Sequence, residues 1–131
     1  MQNWTKMYFF DTYALIEVIR NNQNYTNYKE VTPSCTILNL FELHNVLLKE
    51  FNKQTADYWI KRFTYNLINI TKEDIIMASD FKFRHKDKKF STVDCIGYVI
   101  SLNNNLKFLT GDKGFKDLVE VIRAESDQHR N

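Results

Sequence analysis

Four acidic residues, Asp11, Glu42, Asp94 and Asp112, sit at the margins of apolar runs in the stretches FFDT, LNLFEL, STVDCIGYVIS and TGDKGF. Gathered in one place, four carboxylates repel, which raises their pKa values and costs stability unless a cation sits among them. None of the four stretches holds a histidine. A donor set made of carboxylate oxygens suits a hard ion, Mg²⁺ or Mn²⁺. Each acid also has a plainer local reading: Asp11 as a helix N-cap, Glu42 as a first-turn acid, Asp112 as a turn residue beside Gly111 and Gly114. In the same way Asp94 fits the third position of a helix capped by Ser91, where a carboxylate favours the helix start. The local readings leave unexplained why all four should fall on the same side of one sheet.

That side is set by the elements around them. Residues 7–10 read as a short buried strand, Asp11 as a joint, and residues 12–20 as a helix with Leu15, Ile16 and Ile19 on its inner face. Residues 21–30 are polar and suggest a short or broken helix, after which Pro33 punctuates the start of a second strand over 34–38. Leu40, Leu43, Val46, Leu47 and Phe51 repeat at three and four and predict a helix over 39–52, followed by another over 56–65. A strand over 67–70 leads to Thr71, Glu73 and Asp74, the cap and acidic first turn of a helix running into FKFRHKDKK. A helix over 91–102, a strand over 107–109, a loop or helix start over 110–115 and a last strand over 119–122 complete the chain. Strands alternating with helices imply an α/β fold, a three-layer α/β/α sandwich around a parallel sheet. In such sheets ligands bind at the carboxyl ends of the strands, the edge to which all four acids belong.

Composition narrows the function classes. The 131 residues, 44% hydrophobic and 15% aromatic, fit one domain, residues 1–131, with a real core. Eighteen Lys and Arg against sixteen Asp and Glu leave a net charge of +2, so any nucleic-acid-binding surface must be local. Cys35 and Cys95 lie far apart in apolar contexts and read as buried, reduced thiols of a cytoplasmic protein. Asp11 and Glu17 interrupt the apolar N-terminal run and spoil both a signal sequence and a membrane span. The three glycines build no phosphate-cradling loop, and His44, His85 and His129 show no zinc spacing.

The order strand-Asp-Thr in FFDT, a helix-borne Glu in LNLFEL, Ser-x-x-Asp in STVD and Thr-x-Asp-x-x-Phe in TGDKGF resembles that of PIN-domain ribonucleases of the VapC toxin type. The resemblance spans most of the chain. It implies endonucleolytic cleavage of RNA dependent on Mg²⁺ or Mn²⁺, with Asp11, Glu42, Asp94 and Asp112 as the acidic site and Thr12 and Thr110 as polar neighbours. Asp11, Asp94 and Asp112 would hold the main ion. Glu42 would help with a second ion or orient the attacking water, which a divalent ion activates without a side-chain base. Many relatives carry a further acid two residues beyond the last aspartate; here that position is Gly114, which weakens a second metal position.

Further features bear on partners. Arg84, Lys86, Lys88 and Lys89, just before the Asp94 helix, and Lys113 beside Asp112 could follow an RNA backbone, although most charge runs are solvated helix faces. Leu47, Leu48, Phe51, Tyr58, Trp59 and Phe63 are more apolar residues than one sheet face needs and suggest a homodimer, as in the resembled family. The toxin resemblance also implies a small cognate antitoxin reaching the carboxylates with an arginine. Two rivals remain at this point: a PIN-like domain that only binds RNA or protein, and a phosphoacceptor signalling domain. The latter calls for paired acids after the first strand, where FFDT has one.

Overall fold

The computed structural model describes residues 8–118 and 121–123. Three short parallel strands, β1 (Tyr8–Phe10), β2 (Lys107–Thr110) and β3 (Val121–Arg123), form a sheet in the order β1-β2-β3. The register places Phe9 opposite Phe108 and Phe10 opposite Leu109. Helices α1 (Thr12–Ile19), α2 (Ile37–Glu50), α3 (Lys53–Phe63), α4 (Lys72–Arg84) and α5 (Thr92–Asn103) supply the covering layers.

Alternation along the strands divides the core in two. Phe10 and Leu109 join Leu15, Leu40, Leu43, Leu47 and Phe63 on the face covered by α1, α2 and α3. Phe9 and Phe108 join Ala78, Phe81, Ile96, Val99 and Ile100 on the face covered by α4 and α5. The second cluster is unusually aromatic, with Phe90 stacked on Phe115 at a centroid distance of 3.9 Å and Phe81 stacked on Phe90 at 5.6 Å. These are the three layers that the alternation of strand and helix signals implies.

The expected strands over 34–38 and 67–70 shrink to isolated parallel bridges, Phe9 with Ser34 and Cys35 with Leu67. Local chemistry explains the shortening. Pro33 offers no backbone donor, and Thr36 already serves as the N-cap of α2, its side chain accepting from the amide of Asn39. Two residues are left for pairing. Helix α2 therefore starts at Ile37 rather than 39, and α3 at Lys53, capped by Asn52, rather than 56. The polar stretch after α1 forms a 3-10 turn over Gln23–Tyr28. The last strand is described from Val121; residues 119, 120 and 7 of the expected strands lie outside the described residues.

The apolar surplus of α2 and α3 also divides. Leu47 and Phe63 are buried in the core and so cannot form a free docking surface, while Trp59 packs half-buried against it. Leu48, Phe51 and Tyr58 are exposed, together with Ile37 and Phe41. Cys35 and Cys95 are free and buried; burial pushes their thiols up to about 12 and about 11. Among the described residues no helix is long and apolar enough to cross a membrane.

Candidate active site

Asp11 follows the last residue of β1, and its main-chain amide donates to Leu109 O at 3.1 Å, continuing the ladder by one bond. Its Oδ1 accepts from the amide of Ala14 at 2.7 Å and caps α1. The local reading is therefore correct as far as it goes. It does not account for the energetics, because Asp11 is buried and its carboxyl is pushed up to about 7. Burial is the main cause, and the charges of Asp94 and Asp112 add to it against the stabilising bonds from Thr110 and Ala14.

Asp94 also combines both readings. Its amide donates to Ser91 Oγ at 3.0 Å, and Ser91 has the extended backbone of an N-cap. Burial nevertheless raises the Asp94 carboxyl above its ordinary value. The charges of Asp112 and Glu42 add to the rise, while the bonds from Ser91 oppose it. The repulsions thus link Asp11 to Asp94 and Asp112, and Asp94 to Asp112 and Glu42.

Asp112 is exposed at the end of the loop after β2. Its Oδ1 accepts from the amide of Gly114 at 2.8 Å, and its own amide donates to Thr110 Oγ1 at 2.9 Å. Buried Thr110 therefore touches two of the acids, as a donor to Asp11 and an acceptor from the Asp112 amide. Gly111 lets this loop run beneath α1: a Cβ there would lie 2.3 Å from the ring of Tyr13. The missing acid at position 114 has a packing cause as well. A Cβ on Gly114 would come 2.7 Å from Phe90, whose ring is held against Phe115.

Glu42 lies on α2, where Thr12 Oγ1 donates to its Oε1 at 2.6 Å. Asn39 Nδ2 donates in turn to Thr12 Oγ1 at 3.1 Å. Asn39 was not singled out in the sequence, although Thr36-x-x-Asn39 has capping-box spacing and flags a side chain fixed at a helix start.

All the donors here are oxygens, so the chemistry fits a hard divalent ion, with Asp11, Asp94, Asp112 and Glu42 as the residues that could hold it. Among the described residues no three His, Cys, Asp or Glu side chains close on a common point, so the acids form an open cluster rather than a finished chelate. A cleft of about 460 Å³ lies elsewhere, lined by Val31, Pro33, Trp59 and Phe63, and contains none of the four acids.

The basic residues are placed less tightly. Arg84 pairs with Asp80 at 2.9 Å, Lys86 sits over the Phe83 ring at 5.1 Å, and Lys82 donates to Phe90 O. Lys88, Lys89 and Lys113 are exposed.

Fold and site together define an α/β/α sandwich with an acidic cluster at the carboxyl edge of a parallel sheet. No family model and no curated protein matches the chain. Solved structures do. A toxin-antitoxin complex from Klebsiella pneumoniae matches at a TM-score of 0.71 with 18% identity, over 90% of this chain and 97% of that one. VapBC2 from Rickettsia felis, bound to a DNA fragment from its promoter, matches at 0.67 with 16% identity, over 89% and 96%. PAE2754 from Pyrobaculum aerophilum matches at 0.69 with 14% identity, over 96% and 95%. The chain therefore shares the fold of these solved structures, as the resemblance to VapC-type PIN domains implies.

Proposed function

We propose that this protein is a Mg²⁺- or Mn²⁺-dependent endoribonuclease, acting in the cytoplasm as the toxin of a type II toxin-antitoxin pair. The observation that carries the reading is the carboxylate cluster, with Asp11 buried, crowded by two like charges and pushed up to about 7. A fold keeps such an arrangement at a cost in stability, and a divalent ion removes that cost. The similarity to a toxin-antitoxin complex from Klebsiella pneumoniae supports the biological setting.

In this reading Asp11, Asp94 and Asp112 would hold the main ion, and Glu42 would help hold a second ion or orient the attacking water. When bound, the ion supplies positive charge to the scissile phosphate and acidifies that water. The chain's own residues do the rest. Thr110 holds the Asp11 carboxylate and the Asp112 loop, and Thr12 fixes one oxygen of Glu42. The N-termini of α1 and α5, which carry Asp11 and Asp94, add a favourable field for an anionic substrate. Exposed Lys88, Lys89 and Lys113 are the phosphate contacts of a polymer substrate in this reading, whereas Arg84 and Lys86 are already engaged by Asp80 and the Phe83 ring. A cognate antitoxin would cover the same acidic edge, and exposed Leu48, Phe51 and Tyr58 are the remaining candidates for a homodimer contact.

Purified protein incubated with RNA tests the reading. Cleavage is expected with Mn²⁺ or Mg²⁺, is abolished by EDTA, and is lost in Asp94→Asn, which keeps the size and removes the charge. RNA that is retained but never cut would favour the rival in which the domain only binds. Cleavage that survives EDTA would overturn the metal-dependent mechanism.

A further inference from the structure

Glu42 is held by a chain of hydrogen bonds that runs in one direction. Thr36 donates from its main-chain N–H at 2.9 Å and from Oγ1 at 2.8 Å, both to Asn39 Oδ1. Asn39 donates from Nδ2 to Thr12 Oγ1 at 3.1 Å, and Thr12 donates from Oγ1 to Glu42 Oε1 at 2.6 Å. The direction is fixed at its start. A backbone N–H can only donate, so the Asn39 atom facing Thr36 must be the carbonyl oxygen and the atom facing Thr12 must be the amide nitrogen. Thr12 Oγ1 has one proton, and with its acceptor side occupied by Asn39 that proton goes to Glu42. Asn39 is also buried, at 1% exposure.

We propose that Asn39 is a positioning residue of the acidic site: through Thr12 it turns a hydroxyl proton onto Glu42 Oε1, leaving Oε2 of that carboxylate to serve the acidic cluster. This rests on the nuclease reading for its function but not for its geometry. The residue type supports it. In a capping box the third helical residue is ordinarily Glu or Gln, and it need only accept from the cap amide. Asp at position 39 would also accept from Thr36, but it has no N–H for Thr12 and would add a further negative charge beside the cluster. Asparagine alone among side chains of this length accepts on one side and donates on the other. The cap explains Oδ1; it does not explain the bond from Nδ2.

The two roles separate in Asn39→Asp. That variant keeps an oxygen for the Thr36 amide, so a residue that only caps α2 would be little affected. For positioning, the exchange is disruptive: the second oxygen faces Thr12, accepts its proton and takes the donor away from Glu42. RNA cleavage at saturating Mn²⁺ is then expected to fall about tenfold, the effect of one hydrogen bond to a charged group. Thr12→Val should lose a similar factor and Thr12→Ser should restore it. Because Asn39 acts through Thr12, adding Asn39→Asp to Thr12→Val should cost less than a further twofold.

Mn²⁺ affinity by calorimetry gives a readout besides activity. The added negative charge alone would tighten binding, so weaker Mn²⁺ binding in Asn39→Asp can come only from lost orientation. Unchanged or tighter binding combined with normal cleavage, or fully additive losses in the double variant, would overturn the proposal. A crystal structure of metal-free Asn39→Asp decides the matter even if the wild-type protein neither binds Mn²⁺ nor cuts RNA. Glu42 released from Thr12 is the expected result, and a retained Thr12–Glu42 bond contradicts the proposal. An inactive wild type would count against the nuclease reading alone.

Discussion

The acidic edge and the basic stretch over 82–89 are opposite in how their charges are assembled. The acids come from four separate places in the chain, and folding brings them together although they repel; burial, with that repulsion added, raises the carboxyls of Asp11 and Asp94. The basic residues are contiguous in sequence, and several are satisfied within a turn or two: Arg84 by Asp80, Lys86 by the Phe83 ring, Lys82 by Phe90 O. Like charges brought together from a distance at an energetic cost call for a function; like charges that are adjacent and locally answered need none. The contrast predicts that substitutions at the acidic edge have large effects that depend on metal, while those in the basic stretch have small effects that depend on salt.

The largest effect should come from the ligand set. Asp11→Asn and Asp112→Asn are each expected to reduce RNA cleavage by about a hundredfold or more, as removal of a preorganised charge at a reacting centre does elsewhere. Single-turnover rates at saturating Mn²⁺ measure this. A near-normal Asp112→Asn would reduce the cluster to the buried acids and make Asp112 a turn residue only.

Next in size is the stability of the metal-free protein against pH. Asp11 titrates near 3.8 when unfolded and about 7 when folded, so the folded state binds the proton more tightly. Its contribution is fully present below the unfolded value and is lost as pH rises through about 7. In EDTA the wild type should therefore lose stability relative to Asp11→Asn between these limits, by on the order of a few kcal/mol. Chemical denaturation of both proteins across that range provides the difference. Parallel curves would mean that Asp11 is an ordinary N-cap.

Much of this was legible before the structure, and the exceptions have physical causes. The strand-then-acid joint at Asp11 was readable because a fully apolar YFF run stops at a carboxylate, and Ser91 with Asp94 because capping follows a fixed spacing. The strands at 34 and 67 were overestimated because apolar runs do not reveal that Thr36 is already engaged as a cap. Among the α2 and α3 residues, Leu47 and Phe63 could not be told from Leu48 and Tyr58 until the packing assigned the first pair to the core. Asn39 was passed over because an asparagine at a helix start looks local. Its second bond, to Thr12, crosses 27 residues and exists only in the folded chain.

A smaller test addresses Asp94, where both readings hold. Ser91→Ala should cost about 1 kcal/mol through the lost cap, with or without metal. Asp94→Asn should leave metal-free stability unchanged or raised, because relief of repulsion offsets what the helix start loses. Thermal melts in EDTA measure both. An Asp94→Asn protein as destabilised as Ser91→Ala would return Asp94 to the helix alone.

The smallest effect is expected at the basic stretch. Lys88→Glu with Lys89→Glu should weaken RNA binding several-fold at low ionic strength and hardly at all at high salt, whereas Arg84→Glu, already paired with Asp80, should change less. Fluorescence anisotropy with a short RNA across a salt series measures this. A loss that persists at high salt would make the stretch a specific contact rather than a diffuse one.

Calorimetric titration with Mn²⁺ in buffers of different ionisation enthalpy shows whether the acidic edge is a metal site. If the four carboxylates form a site for a hard cation, wild type should bind Mn²⁺ saturably and release a proton from Asp11. The release should approach one per site at about pH 6 and decline toward about pH 8. Asp11→Asn should lose that proton release and most of the affinity. Absence of saturable binding, or equal binding and proton release in wild type and Asp11→Asn, would contradict the account.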